Sequence, residues 1–307
     1  MKVSEWAMNY WKVIKNTVKE FIADDPMSYS SSIAFYTIFS LPAILIITVS
    51  IASSAYEDEV VRNNLMEQIQ SLFGATSAEE IDKILANADG LGDSVIAKII
   101  GIGTLIFSAT TVFVSLQNGL NRIWRIKPKP EKGFIKFIVN RLLSLAMIIS
   151  IGFLLLVSLV VDTLIVVFNN ILSELFSGGT YYIVSAVNLG FSLAIITLVF
   201  AMIFKILPDA KVEWRDVWVG AFVTTVLFTL GKYLIGFYLG NSSLSNAYGA
   251  AGSLVLLLVW VYYSSVIVLF GAEFTFVYSK EIGHKIRPDK GAVIVRQVES
   301  EEGNVNE

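Results

Sequence analysis

Six apolar stretches dominate this sequence and leave little else to fold, at roughly 29–54, 95–117, 142–168, 181–207, 216–239 and 250–279. A helix crossing a ~30 Å hydrocarbon core needs about 20 mostly apolar residues, and each stretch exceeds that length. Inside lipid the backbone must satisfy its own N–H and C=O groups, so such runs imply closed helices and not open strands. The expected fold is an all-α membrane protein whose six transmembrane helices occupy 29–279. Only 16% of the 307 residues are charged, against about 25% in soluble domains, which excludes an ordinary soluble enzyme and a disordered chain. The net charge of −3 argues against a nucleic-acid partner, whose phosphates are bound by excess basic charge.

Basic residues set the orientation, because they accumulate on the cytoplasmic side of membrane helices. Residues 1–28 hold Lys2, Lys12, Lys15 and Lys19, and 118–141 hold Arg122, Arg125, Lys127, Lys129, Lys132, Lys136 and Arg141. Lys205, Lys211 and Arg215 lie in the next turn on that side, and five more lie beyond residue 279. The opposite loops, 55–94, 169–180 and 240–249, hold only Arg62 and Lys83. Both termini are therefore expected in the cytoplasm. The first apolar run follows a mixed-charge segment and is too long for a signal-peptide core, so it is expected to be retained as a span.

Outside the spans, 1–28 is expected to form a cytoplasmic amphipathic helix, with Ala7, Tyr10, Trp11, Ile14, Val18, Phe21 and Ile22 at helical spacing and Lys12, Lys15, Lys19 and Glu20 opposite. Such a helix either lies in the membrane interface or packs on the cytoplasmic parts of its own chain. The 55–94 loop carries nine acidic residues, a helical stripe Val61, Leu65, Ile69 and Leu72, and a capping pattern at Ser77 and Glu80. It is expected to form a small helical extracytoplasmic cap. Residues 280–307 read as a cytoplasmic tail. The basic segment Arg125-Ile126-Lys127-Pro128-Lys129-Pro130 reads as a stiff turn that either binds anionic lipid headgroups or serves only to fix topology.

Polar groups within apolar helices are costly and so mark candidate function. In the second span Gly101, Thr104, Ser108, Thr111, Ser115, Asn118 and Arg122 recur every three or four residues, and Thr104 to Asn118 covers about 21 Å at 1.5 Å per residue. Such a face lines a wet cavity or packs on another helix. The first span carries Ser28, Ser32, Tyr36 and Ser40, then Pro42, which removes one helix hydrogen bond. Asp162 and Lys232 fall at similar depth in the same leaflet, where each alone would cost roughly 2.5–3.5 kcal/mol, so an intramembrane pair is expected, structural or functional. The last span holds Trp260, Tyr262, Tyr263, Ser264 and Ser265 near its middle, and Glu273 nearer the cytoplasm, within reach of Lys205 or Arg141. The expected cavity or transport path is Tyr36, Pro42, Ser108, Thr111, Ser115, Asn118, Trp260 and Ser264, with Glu273 and Arg122 as inner-side charges.

Several motifs in order resemble the YihY/BrkB family of bacterial inner-membrane proteins, once labelled ribonuclease BN. They are Ser32-Ile33-Ala34-Phe35-Tyr36 with Ser40-Leu41-Pro42, Leu120-Asn121-Arg122-Ile123-Trp124, Leu207-Pro208, Trp214 through Gly220-Ala221, Tyr248-Gly249-Ala250-Ala251-Gly252-Ser253, Trp260-Val261-Tyr262 and Gly271-Ala272-Glu273. The resemblance spans about residues 12–280 and implies six helices. Members are discussed as envelope transporters, lipid export included, and no catalytic residues carry over. With no cysteine and the single His284, neither a thiolate site nor a histidine metal cluster can form. No Walker loop is present to hydrolyse ATP. The expected protein is thus a transporter or lipid translocase of the cell envelope. It is expected to be no enzyme and to use no metal or cofactor, with membrane lipids, envelope proteins or further copies of itself as partners. The alternative is a non-transporting scaffold or assembly factor. Ribonuclease chemistry lacks the clustered carboxylates or histidines that it needs.

Overall fold

The computed structural model describes residues 2–52, 57–73, 82, 95–129, 138–139, 141–150, 180–241, 252–289 and 291–295. Helix α1 runs Lys2–Ala23, α2 Pro26–Ala52, α3 Asp58–Phe73 and α4 Val95–Ile123. A short apolar helix, α5, covers Arg141–Ser150. Helices α6 (Thr180–Ile206), α7 (Trp214–Asn241) and α8 (Gly252–Glu281) follow. Among the described residues three stretches are long and apolar enough to cross a membrane: Leu189–Ile206, Trp214–Ile235 and Leu257–Glu281.

Helix α8 packs against α1, α2, α4 and α7. Its seam with α7 is built from small residues. A Cβ on Gly220 would collide with Thr275, and a Cβ on Gly271 would collide with Thr224. Each threonine donates its hydroxyl to the glycine carbonyl four residues back on its own helix, Thr224 to Gly220 and Thr275 to Gly271, both at 2.7 Å. The hydroxyls are thereby satisfied internally, and the antiparallel backbones close to a distance that only glycine permits. Thr225 adds a buried bond between α6 and α7, receiving the Thr197 hydroxyl at 3.0 Å.

The apolar core gathers at one end of the helices. Leu120, Ile123 and Trp124 of the α4 terminus meet Phe204 and Leu207 after α6, Val217 of α7, and Leu269 and Ala272 of α8. The Trp124 indole N–H donates to the Ala272 carbonyl at 3.0 Å, which satisfies the one polar atom of a fully buried ring.

At that end the chain departs from a purely helical fold. Strands β1 (Ile126–Pro128) and β4 (Ala292–Ile294) pair antiparallel, Lys127 opposite Val293, and β2 (Ala210–Lys211) pairs with β3 (Arg287–Pro288). The basic segment expected as a turn is thus a strand at Ile126–Pro128, with Pro128 at its end, where a missing N–H is tolerated. Residues 287–294, within the expected tail, supply both partners. Asp216, buried in the first turn of α7, accepts the His284 backbone N–H at 2.7 Å and closes the end of α8 onto the start of α7.

Helix α1 carries two apolar rows where the sequence suggested one. Val13 packs with Phe274, Val277 and Tyr278 of α8, and Phe21 meets Phe270 edge-on at 5.1 Å. Lys12 reaches Glu281 at 3.0 Å, and Lys280 reaches Glu20 at 3.2 Å. The second row, Trp11, Ile14, Val18 and Ile22, remains exposed, with Trp11 at 68% and Ile22 at 75%.

The glycine–threonine seam gives a direct test. Gly271→Ala should lower the stability of the detergent-solubilised chain by about 1–3 kcal/mol, the usual cost of overpacking. Adding Thr224→Ala should recover part of that loss, read as the unfolding midpoint of single and double variants.

Candidate functional site

The polar stripe of α4 makes three kinds of contact along its length. In its middle the hydroxyls are engaged. Ser108 donates to the Phe39 carbonyl at 3.0 Å, while the Ser40 hydroxyl donates to the Ser108 carbonyl, so these residues join α4 to α2. One turn on, Arg141 Nη1 donates to the Phe107 carbonyl (2.9 Å), Thr110 Oγ1 (2.7 Å) and Thr111 Oγ1 (3.0 Å). Its guanidinium lies 4.1 Å from the centre of the Phe107 ring. Ser115 donates to the Thr111 carbonyl at 3.1 Å. At the stripe's end Asn118 and Arg122 open onto a cavity of about 260 Å³, completed by Asn121, Arg125, Ile126, Lys127, Pro128 and Val295.

Local geometry fixes the walls of this cavity. Arg125 takes a left-handed conformation (φ 56°), unusual for a residue with a side chain, and turns the chain out of α4. Its carbonyl accepts the Val295 N–H at 2.8 Å, which continues the β1–β4 ladder. Asn121 clamps Asp209 from both sides, Nδ2 donating to the carboxylate and Oδ1 accepting the backbone N–H, each at 2.9 Å. Behind the cavity Arg125 Nη2 meets Glu20 at 3.0 Å and Asp24 at 3.9 Å, with the Phe276 ring 5.5 Å from its guanidinium.

Two carboxylates near Arg125 are buried. Glu273 is fully enclosed, and neither of its oxygens has a hydrogen-bond partner among the described residues. Its electrostatic neighbours are Asp24, Glu20, Arg125 and Lys280. Lys205 instead donates to the Val212 carbonyl, and Arg141 is held by α4, so neither of the bases expected to serve Glu273 does so. Asp24 is also buried, with Oδ2 lacking a hydrogen bond. Burial raises its pKa above the usual carboxylate value, against the lowering pull of Arg125 and Arg122.

The remaining candidates are dispersed. Trp260 is buried and edge-on to Phe228 at 6.2 Å. The Ser264 hydroxyl is buried without a partner among the described residues. Tyr36 is exposed beside Phe35, and α2 continues in sequence through Pro42. Lys232 lies on an exposed face of α7; Asp162, its expected partner, falls outside the described residues. The sequence reading gave no role to Asp24 and placed Arg125 in a basic turn that either binds anionic lipid headgroups or fixes topology. The Asp24-Asp25-Pro26 break between two helical runs was the available clue, since it places an acid at the end of an apolar helix.

Comparison with known proteins rests on most of the chain. The profile of the family described as virulence factor BrkB matches residues 17–293. The chain belongs to that family. A UPF0761 membrane protein of Alteromonas mediterranea is 30% identical over 260 residues, covering 84% of each chain. One from Pseudoalteromonas atlantica is 29% identical over 247 residues, covering 80% of this chain and 78% of its own. No solved structure matches. With its apolar helices, this BrkB-family chain is a membrane protein.

Asp24 yields a pH prediction. Because burial raises its pKa in the folded state, the folded chain binds this proton more tightly than the unfolded chain does. The residue's contribution to stability therefore falls as pH rises from the ordinary carboxylate range through the folded pKa. In thermal unfolding, the Asp24→Asn variant should gain on wild type as pH rises above the ordinary carboxylate range, with the difference flattening once the folded-state carboxyl has ionised.

Proposed function

We propose that this BrkB-family protein is a transporter or lipid translocase of the bacterial inner membrane, with the six spans given above and both termini in the cytoplasm. The observation that carries the reading is Glu273, a fully enclosed carboxyl in an apolar helix with neither oxygen hydrogen-bonded among the described residues. Ionisable groups at such positions are costly to hold and tend to mark proton, ion or substrate pathways. The cavity reached from the α4 stripe supports the same reading, since it lies at the cytoplasmic end of a polar helix face. The exposed row Trp11, Ile14, Val18 and Ile22 on α1 suits a helix seated in the interface beside α8. The Arg62–Asp82 pair at 2.7 Å suits a compact helical cap outside the membrane.

A scaffold reading draws on a different observation. The middle hydroxyls of α4 are all spent on α2, on Arg141 or on α4 itself, as expected of a face that packs and does not conduct. The two readings separate in reconstituted liposomes. With the full chain present, fluorescent phospholipids should cross the bilayer faster than in protein-free vesicles. Glu273→Gln should slow that movement about tenfold, equivalent to ~1.4 kcal/mol in the barrier, while Lys19→Gln on the exposed side of α1 should leave it unchanged. Movement no faster than in empty vesicles, or equal in all variants, would count against translocation of these lipids and favour the scaffold.

A further inference from the structure

We propose that the cavity at the end of α4 is a binding site for a phosphate oxyanion, with Arg122, Lys127 and the Asn118 amide as its donors and Arg125 as its rear wall. The inference depends on the reading above only for placing this end in the cytoplasm, and it stands whether or not the protein transports.

Charge is the first argument. Three cations line the cavity, and no carboxylate among the described residues does. Arg125 forms ion pairs with Glu20 and Asp24; Arg122 feels Asp24 through space without an ion pair of its own among the described residues, and Arg122 and Lys127 are both exposed. The carbonyl end of α4 adds roughly half a negative charge, too little to offset two cations. The cavity therefore keeps an excess positive potential focused in a concave wall, the condition under which an anion is drawn in.

Donor geometry is the second. Arginine presents a planar fork matched to phosphate oxygens, and lysine a mobile point charge. Arg125 lines the rear wall, and its Nε is buried without a hydrogen-bond partner among the described residues. Asn118 adds a neutral donor from the last polar turn of α4. The walls are held by the Asn121–Asp209 clamp, the β1–β4 ladder and the left-handed turn at Arg125, so the donors converge on a fixed space.

Size and position define the ligand class. At about 260 Å³ the cavity is smaller than the ~300–1,000 Å³ of most small-molecule pockets, and it accommodates a single phosphate-bearing group. Asn118 follows directly on the expected 95–117 span, which sets the cavity at headgroup depth, with Ile126, Pro128 and Val295 as an apolar side. A phosphodiester lipid headgroup and a free phosphate compound offer the same oxyanion, and experiment separates them.

The purified full chain in neutral detergent would be titrated at constant ionic strength, which removes general screening. One arm uses inorganic phosphate and the other a short-chain phosphatidylglycerol, with the short-chain phosphatidylcholine as the lipid control; thermal unfolding is the readout. A saturable rise of the midpoint is expected in at least one arm: phosphate alone sufficing identifies a soluble phosphate ligand, and phosphatidylglycerol alone a lipid headgroup. Arg122→Gln and Lys127→Gln, singly, should weaken the apparent affinity about tenfold each while keeping the ligand-free midpoint, since both side chains are exposed. Lys15→Gln on α1 should bind as wild type does. No saturable shift in either arm would overturn the site, as would equal weakening by Lys15→Gln, or undiminished binding in both cavity variants.

Discussion

The arrangement depends on how closely α7 and α8 approach. Apolar faces gain little by leaving lipid for one another, so helices in a membrane associate through close packing and internally satisfied polar groups. The paired contacts Gly220–Thr275 and Gly271–Thr224 supply both. They also fix the height of α8 against its neighbours. Leu269, Ala272 and Phe274 then fall opposite α4, Trp124 and α1, and Glu273 is carried into the enclosed interior between them. A side chain on either glycine would separate the helices where Trp124 reads the Ala272 carbonyl, and so would loosen the walls of the cavity as well.

The end of the molecule that holds the candidate site is tied by polar contacts that join turns, short strands and helix ends. Two short ladders, the Asn121–Asp209 clamp and the Asp216–His284 bond join segments far apart in sequence. Each is small. Together they return the 287–294 segment across the ends of α4 and α6, so the paired strands of that segment are built into the helix ends. This is why cations whose charge could have served only for topology end up converging on one space.

Much of the helical layout was legible because it is a one-dimensional property. Apolar length marks a span, and the starts and ends of α6, α7 and α8 lie within a few residues of the expected limits. Pairings were not legible in the same way. Two-residue strands leave no periodicity to detect, so β2 and β3 had no signature in the sequence. On α1, Trp11, Ile14, Val18 and Ile22 merged with Tyr10 and Phe21 into one apparent stripe, because adjacent helical rows differ by a single residue step. Which row meets α8 depends on Phe270, Phe274 and Tyr278, which lie some 250 residues away. Glu273 stood out as an acid in an apolar run, but its neighbours Asp24 and Arg125 come from the turns after α1 and α4, and only the fold brings them together.

Arg125 borders two charged environments. On one side its guanidinium faces Glu20 and Asp24, and on the other it lines the basic cavity. A guanidinium has five donors but a single charge to share. An anion seated against it would therefore compete with the two acids, and loss of charge from those acids would free it for the anion. The acids sit at the end of α1, which is held to α8 partly by the Glu20–Lys280 and Lys12–Glu281 pairs. An anion in the cavity would thereby act electrostatically on the acids that end α1, which packs through Phe21 and Val13 on the part of α8 that encloses Glu273. The link needs no moving domain, since the same arginine borders both environments.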